Sequence, residues 1–187
     1  MHITGGFLKS RKIDSPKGSN VRPTLSQMRE SIFSTLFSLT DFENKLFLDV
    51  FAGSGIMGFE AISRGFASCD FIEKDRKTFF TIKNNIEKLG IEKETSVHPG
   101  DSLKILKKLQ KTFDVIYIDP PYQSGLYDAV LQTVKDENLL SDSGVAILEH
   151  PKGLKIDTKG FKILKQKTCS DKCLTYLAPD TDLPVNS

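Results

Sequence analysis

The spacing of apolar residues changes character near Lys45. Upstream, Leu25, Met28, Ile32, Leu36 and Leu39 recur at helical intervals and keep one face, which predicts a helix through "LSQMRESIFSTLFSL". Its start falls near Thr24, which can cap free N–H groups with Gln27 at the capping-box position. Downstream, "KLFLDVF", "CDFIEK", "TSVH", "FDVIYID" and "GVAILEH" are short β-rich runs, with helical stretches of roughly 10–15 residues between them. "RKTFFTIKNNIEKLG" is one such stretch, stopped by Gly90. This alternation predicts an α/β fold, a mostly parallel seven-stranded sheet with helices on both faces. The last two runs, "GFKILKQKT" and "KCLTYLAP", have no helical stretch between them and read as an antiparallel hairpin.

The ends differ from this regular centre. "GG" at Gly5-Gly6 suggests a small N-terminal β-hairpin, and "DSPKGSNVRP", Asp14 to Pro23, reads as a linker. The expected organisation is a basic hairpin extension over 1–23, the main domain over 24–179, and a frayed tail over 180–187. At 187 residues, 39% hydrophobic and 27% charged, the chain is long enough to bury a substantial core. No apolar run nears 18 residues, and the start lacks the apolar stretch of a signal peptide, so a cytoplasmic protein with no membrane partner is expected. Cys69, Cys169 and Cys173 are an odd set without paired spacing, which argues against disulfides and a structural metal.

Net charge is only +2, but it is unevenly placed. Residues 1–29 carry six Lys/Arg against one Asp, and 151–177 carry seven Lys against two Asp. The centre, 30–150, holds thirteen cations against nineteen acids, a net of −6. Basic ends around an acidic centre suggest a polyanion touched by the ends, although surface solubility explains them equally well.

Ligands of parallel α/β sheets sit at the carboxyl ends of the strands. Asp49, Glu73, the Gly100-Asp101 turn and Asp119 are all expected there. Within "LDVFAGSGIMGFEAISRG", "GSGIMG" fits the dinucleotide fingerprint, and Glu73 stands twenty residues beyond Gly53, where a ribose-binding acid belongs. Asp49, immediately before the loop, weighs against a pyrophosphate and suits S-adenosylmethionine, which carries an amino group and a sulfonium. Gly53 and Gly55 would let the backbone approach this ligand, with Phe51, Ala52 and Ser54 in the same loop. Glu73, followed by Lys74, would take the ribose hydroxyls, and Asp101, followed by Ser102, the adenine amine.

"VIYIDPPYQSG" ends a strand in an acid, two prolines and a tyrosine, a stiff bracket rich in acceptors. Asp119-Pro120-Pro121-Tyr122 resembles the [D/N/S]-P-P-[Y/F/W] motif of methyltransferases acting on nitrogen attached to a planar π system. The Asp119 carboxylate and Pro120 carbonyl would accept the two hydrogens of such an amine, and Tyr122 would stack on the base. A parallel sheet finishing in a hairpin is likewise similar to the Rossmann-like fold of class I methyltransferases. "ITGG", "RPT", "RESIF", "LDVFAGSGIMGFEAISRG", "FIEKD" and "DPPY", in this order, resemble the RsmD-type bacterial 16S rRNA (guanine-N2) methyltransferases.

That resemblance implies S-adenosylmethionine as donor and a guanine of 16S rRNA as acceptor. The implied partner is the small ribosomal subunit or its assembly intermediate, met by a monomeric enzyme. It places Arg22, Thr24 and Arg29 over the mouth of the site, while Lys9, Arg11, Lys12, Lys17 and Arg22 would hold phosphates. "CSDKC" matches no role, and His2, His98 and His150 are expected to be structural or exposed. A DNA adenine-N6 methyltransferase and a protein glutamine-N5 methyltransferase remain as alternatives. The former usually needs a separate target-reading domain, and the latter typically has Asn where Asp119 stands.

Overall fold

The computed structural model describes residues 1–15, 26–121 and 125–181. Among these residues, seven strands form one sheet: β1 (Leu46–Asp49), β2 (Ser68–Glu73), β3 (Thr95–Pro99), β4 (Phe113–Ile118), β5 (Leu140–Pro151), β6 (Phe161–Cys169) and β7 (Lys172–Pro179). Their spatial order is β3-β2-β1-β4-β5-β7-β6, parallel from β3 to β5 and antiparallel across β5, β7 and β6. The order reverses between β1 and β4, so the strand ends there open a crevice, the usual ligand position of such sheets.

The helices are α1 (Ser26–Phe37), α2 (Ile56–Ser63), α3 (Arg76–Leu89), α4 (Ser102–Leu106) and α5 (Tyr127–Asp136). Two apolar clusters show that they cover both faces. Ile32, Phe33 and Leu36 of α1, Phe59 and Ile62 of α2 and Ile82 and Ile86 of α3 pack with Phe47, Phe71 and Val115 on one face. Leu106 of α4 and Val130, Leu131 and Val134 of α5 pack with Leu48, Ile116 and Ala146 on the other. Helix α4 has five residues and α2 eight, shorter than the sequence pattern suggests. Leu39 lies beyond the end of α1, and Leu25 and Thr24 fall outside the described residues.

Helix α2 rides close to the sheet. A Cβ on Gly58 would meet the Phe71 ring at 2.2 Å and Cys69 Sγ at 2.5 Å, so only glycine permits this approach. The N-terminal segment is held by a single antiparallel bridge, His2 with Lys12, and by the Ile3 N–H donating to the Arg11 carbonyl. Ile3, Leu8 and Ile13 enter the same core as α1–α3.

A buried ion cluster fastens this segment. Glu60 of α2 is fully buried and accepts from Thr4 N at 2.7 Å, Thr4 Oγ1 at 2.8 Å and Arg29 Nε at 3.1 Å through Oε1, and from Arg64 Nε at 3.2 Å through Oε2. Arg29 also donates to the His2 carbonyl at 2.8 Å. Such a charge is tolerable in a core only when paired and hydrogen-bonded throughout, as here.

Candidate active site

Side-chain alternation along the strands decides what meets at the crevice. Phe47 of β1, Phe71 of β2, Tyr117 of β4 and Ile147 of β5 all face the core under α1–α3. Two residues further along each chain, the same face carries Asp49, Glu73, Asp119 and Glu149. Register aligns Asp49 with both Phe71 and Tyr117. A row of carboxylates therefore crosses the carboxyl edge of the sheet.

Asp49 is 1% exposed, and among the described residues neither carboxylate oxygen has a hydrogen-bond partner. Burial, then the charges of Asp119 and Glu73, push its pKa up to about 8. The Gly58 and Phe51 amides offset part of this while falling short of full hydrogen-bond geometry. A buried anion without a partner costs several kcal/mol, about the scale at which proteins supply a counter-charge or a proton instead.

The loop beside it is tied down by backbone. Val50 N donates to the Tyr117 carbonyl at 3.0 Å, Ala52 N to the Ile72 carbonyl at 3.0 Å, and Gly55 N to the Ala52 carbonyl at 2.7 Å. Gly55 has φ of 79°, and the Phe59 ring lies 2.8 Å from where a Cβ would stand, so both backbone and packing require glycine. Ala52 and Ser54 are buried, and Phe51 leans on the opposite core. The N–H of Gly53 donates to Glu73 Oε2 at 2.8 Å, and Asp75 N to Oε1 at 2.7 Å. Burial raises the Glu73 pKa, and these amides counter it. Gly100 N donates to the Glu73 carbonyl at 3.0 Å, bringing the end of β3 to the same place. There Asp101 caps α4 by accepting from Lys104 N at 3.3 Å, its Oδ2 lies 3.9 Å from Lys74 Nζ, and Ser102 is buried.

Asp119 is half-buried; burial and then Glu149 push its pKa up to about 7, with Lys172 pulling the other way. Pro120 is buried and Pro121 exposed, while Tyr122 lies outside the described residues, as do Lys17, Arg22 and Thr24.

The expected cationic contacts fare differently. Arg29 is 2% exposed and pairs with Glu60, so it cannot lie over the mouth or hold a phosphate; the buried acid of α2 has drawn it inward. Lys9, Arg11 and Lys12 are exposed, but their segment rests on the C-terminal ends of α2 and α3. Leu8 N donates to Ser63 Oγ at 2.9 Å and Arg11 Nη2 to the Lys88 carbonyl at 3.2 Å. Both helices start at the crevice and run away from it, so these cations stand at the far end. His98 Nε2 meets Asp70 Oδ2 at 2.8 Å, and His150 Nε2 meets Thr175 Oγ1 at 2.9 Å.

Three residues of the site escape the sequence reading: Tyr117, Glu149 and Lys172. Tyr117 and Lys172 both donate to the Glu149 carboxylate, and Tyr127 Oη donates to the Glu149 carbonyl at 2.7 Å. The signal for Glu149 was present, since it follows Ile147 in phase near the end of β5 as Asp119 follows Tyr117 at the end of β4.

The fold is the Rossmann-like methyltransferase fold. The chain belongs to the family described as conserved hypothetical protein 95, whose pattern matches residues 1–178, and it is of the RsmD type. It is 34% identical over 179 residues to "Ribosomal RNA small subunit methyltransferase D" of Buchnera aphidicola subsp. Acyrthosiphon pisum, covering 95% of this chain and 93% of that one. It is 32% identical over 171 residues to "Putative rRNA methyltransferase YlbH" of Bacillus subtilis, covering 89% and 92%. The solved structure "Putative methyltransferase yhhF from Escherichia coli" superposes with a TM-score of 0.85 at 24% identity, covering 96% of this chain and 97% of that one. No helix among the described residues is long and apolar enough to cross a membrane.

Proposed function

We propose that this protein transfers a methyl group from S-adenosylmethionine to the exocyclic N2 of a guanine in small-subunit ribosomal RNA. The observation that carries the reading is the unpartnered, buried Asp49 carboxylate within a row of acids that includes Asp119 of the Asp119-Pro120 bracket. Bound S-adenosylmethionine supplies a methyl group on a positively charged sulfur. The oxygens of Asp49 suit its ammonium and sulfonium charges, whereas Asp49, Glu73 and Asp119 would together repel a pyrophosphate. Glu73, oriented by two backbone amides, has lone pairs left for ribose hydroxyls. Asp101 would accept from the adenine amine, with Phe51, Ala52, Gly53, Ser54, Gly55, Lys74 and Ser102 forming the walls.

On the acceptor side the difficulty is electronic, because the lone pair of guanine N2 is delocalised into the ring. Asp119 and the Pro120 carbonyl each accept one of its hydrogens, which localises the lone pair and fixes its direction. The Asp119 carboxylate also meets the positive charge developing on nitrogen, and the product amine then loses a proton to water. The prolines hold the bracket rigid, and Tyr122, outside the described residues, is the aromatic residue the motif offers for stacking on the base. The names of the relatives support small-subunit ribosomal RNA as the acceptor. A small subunit or its assembly intermediate as partner, a monomeric enzyme and a cytoplasmic location are part of the proposal.

Purified protein offered labelled donor with small-subunit rRNA or particles, duplex DNA, and a release-factor protein tests this. Label should enter the RNA alone. Label in DNA adenine or in protein glutamine would move the acceptor to another class.

A further inference from the structure

The turn "CSDKC" joins β6 to β7, and its Lys172 points back into the site. Register places Lys172 opposite Pro151 and Leu174 opposite Glu149, and Lys152 N donates to the Asp171 carbonyl at 2.9 Å, which fixes the turn over the end of β5. From there the Lys172 ammonium reaches Glu149 Oε1, while Tyr117 Oη donates to Oε2. Glu149 is fully buried, and binding donor or base as described above gives it nothing to do. It stands beside Asp119, the acid that must be ionised to accept from the amine. A half-buried carboxylate beside a fully buried one does not ionise readily unless a cation is at hand.

We propose that Lys172 is a positioning residue for the Asp119-Pro120 bracket: paired with Glu149, it lets Asp119 stand ionised beside a second buried carboxylate, ready to accept from the target amine. This rests on the reading of Asp119 as the acceptor. Among the described residues, the charged and titratable groups that interact with Asp119 are Asp49 on β1, Tyr117 on β4, Glu149 on β5, Lys172 on β7 and Tyr127 on α5. Among the acids Glu149 is its main antagonist, and Lys172 is the cation that opposes Glu149. The same pairing holds the Lys172 ammonium charged, since Asp119 and Glu149 raise its pKa against the pull of burial.

Carboxyl carbon NMR of aspartate-labelled protein tests this without RNA or donor, the Asp119 signal being assigned by its loss in Asp119→Asn. Lys172→Met should move the Asp119 titration midpoint up by about one pH unit, and Glu149→Gln should move it down by a similar amount. Lys172→Arg should restore the native value. The acid limb of single-turnover methyl transfer should follow: higher pH for Lys172→Met, lower pH for Glu149→Gln. Should Lys172→Met fail to fold, Glu149→Gln carries the test alone, since it keeps the size of the side chain and removes only the charge. An Asp119 midpoint that stays put while rate falls equally at every pH would make Lys172 merely structural and overturn the inference. Midpoints that move as stated in a protein that never methylates RNA would instead refute the acceptor role of Asp119.

Discussion

The amide of Gly53 donates to Glu73 Oε2 at 2.8 Å, tying the glycine loop after β1 to the acid that ends β2. Glu73 therefore shapes the loop, and in the proposed reading it also receives the ribose. Glu73→Ala should weaken S-adenosylmethionine by about 1.5–3 kcal/mol, the range for hydrogen bonds to a charged group, while the fold survives. Glu73→Gln, which keeps one oxygen for Gly53, should lose less. Calorimetry finding the native affinity in the Ala variant would remove Glu73 from the site.

Asp49 makes both stability and binding depend on pH. Its pKa is about 8 when folded against an ordinary 3.8, so the native state binds more protons than the unfolded one between those values. Stability should fall as pH rises through that window, and Asp49→Asn should flatten the slope and be the more stable protein near pH 8 in urea denaturation. A cationic ligand favours the ionised carboxylate. Native affinity for S-adenosylmethionine should therefore strengthen as pH rises toward about 8, with a proton released on binding that calorimetry in two buffers detects. The Asn variant should lose both effects.

Arg29 and Glu60 make a stability prediction where the sequence suggested an RNA contact. Glu60→Ala leaves Arg29 in the core without its carboxylate and should cost about 3–5 kcal/mol in urea denaturation, the scale for breaking a buried pair. A variant with native stability but weakened RNA binding would return Arg29 to the mouth of the site.

Lys9 and Lys12 stand at the far end of α2 and α3, so they bear on RNA only if it extends along that side of the molecule. Reversing both to Glu should weaken RNA binding and lower the slope of log affinity against log salt by about 1.5, the expected share of two phosphate contacts. Donor affinity should not change. An unaltered slope would confine the RNA contact to the carboxyl edge of the sheet.

Much of this site was legible because strand ends are legible. Asp49, Glu73 and Asp119 each close an apolar run, and the α/β alternation says that such ends converge. Glu149 obeys the same rule, but it lies inside "AILEHP", where the apolar signal continues past it and the strand runs on to Pro151. Lys172 was not legible, because an antiparallel return brings it beside Glu149 from a segment that reads as an ordinary basic turn. Arg29 was misread for a related reason: on a helix alone it looks exposed. The sign of its burial lies in α2, where Glu60 sits within a fully buried helix and demands a cation. Helix α4 fell short of its pattern, a reminder that periodicity in a short basic stretch fixes a face better than a length.

Asp119 separates charge from geometry at the reacting amine. Asp119→Ala should slow single-turnover methyl transfer by about 10²–10³-fold, as loss of one transition-state hydrogen bond does, with donor binding retained. Asp119→Asn keeps an oxygen acceptor without the charge and should fall between native and Ala. Equal losses would mean that the negative charge itself is needed.

The central claim is tested most directly by mapping modified nucleosides of small-subunit rRNA from cells with and without the gene, and from the deletion carrying Asp119→Ala. The account predicts that one N2-methylguanosine disappears in the deletion, returns with the native gene and stays absent with the variant. An unchanged set of methylguanosines, or loss of a methyladenosine instead, would contradict it.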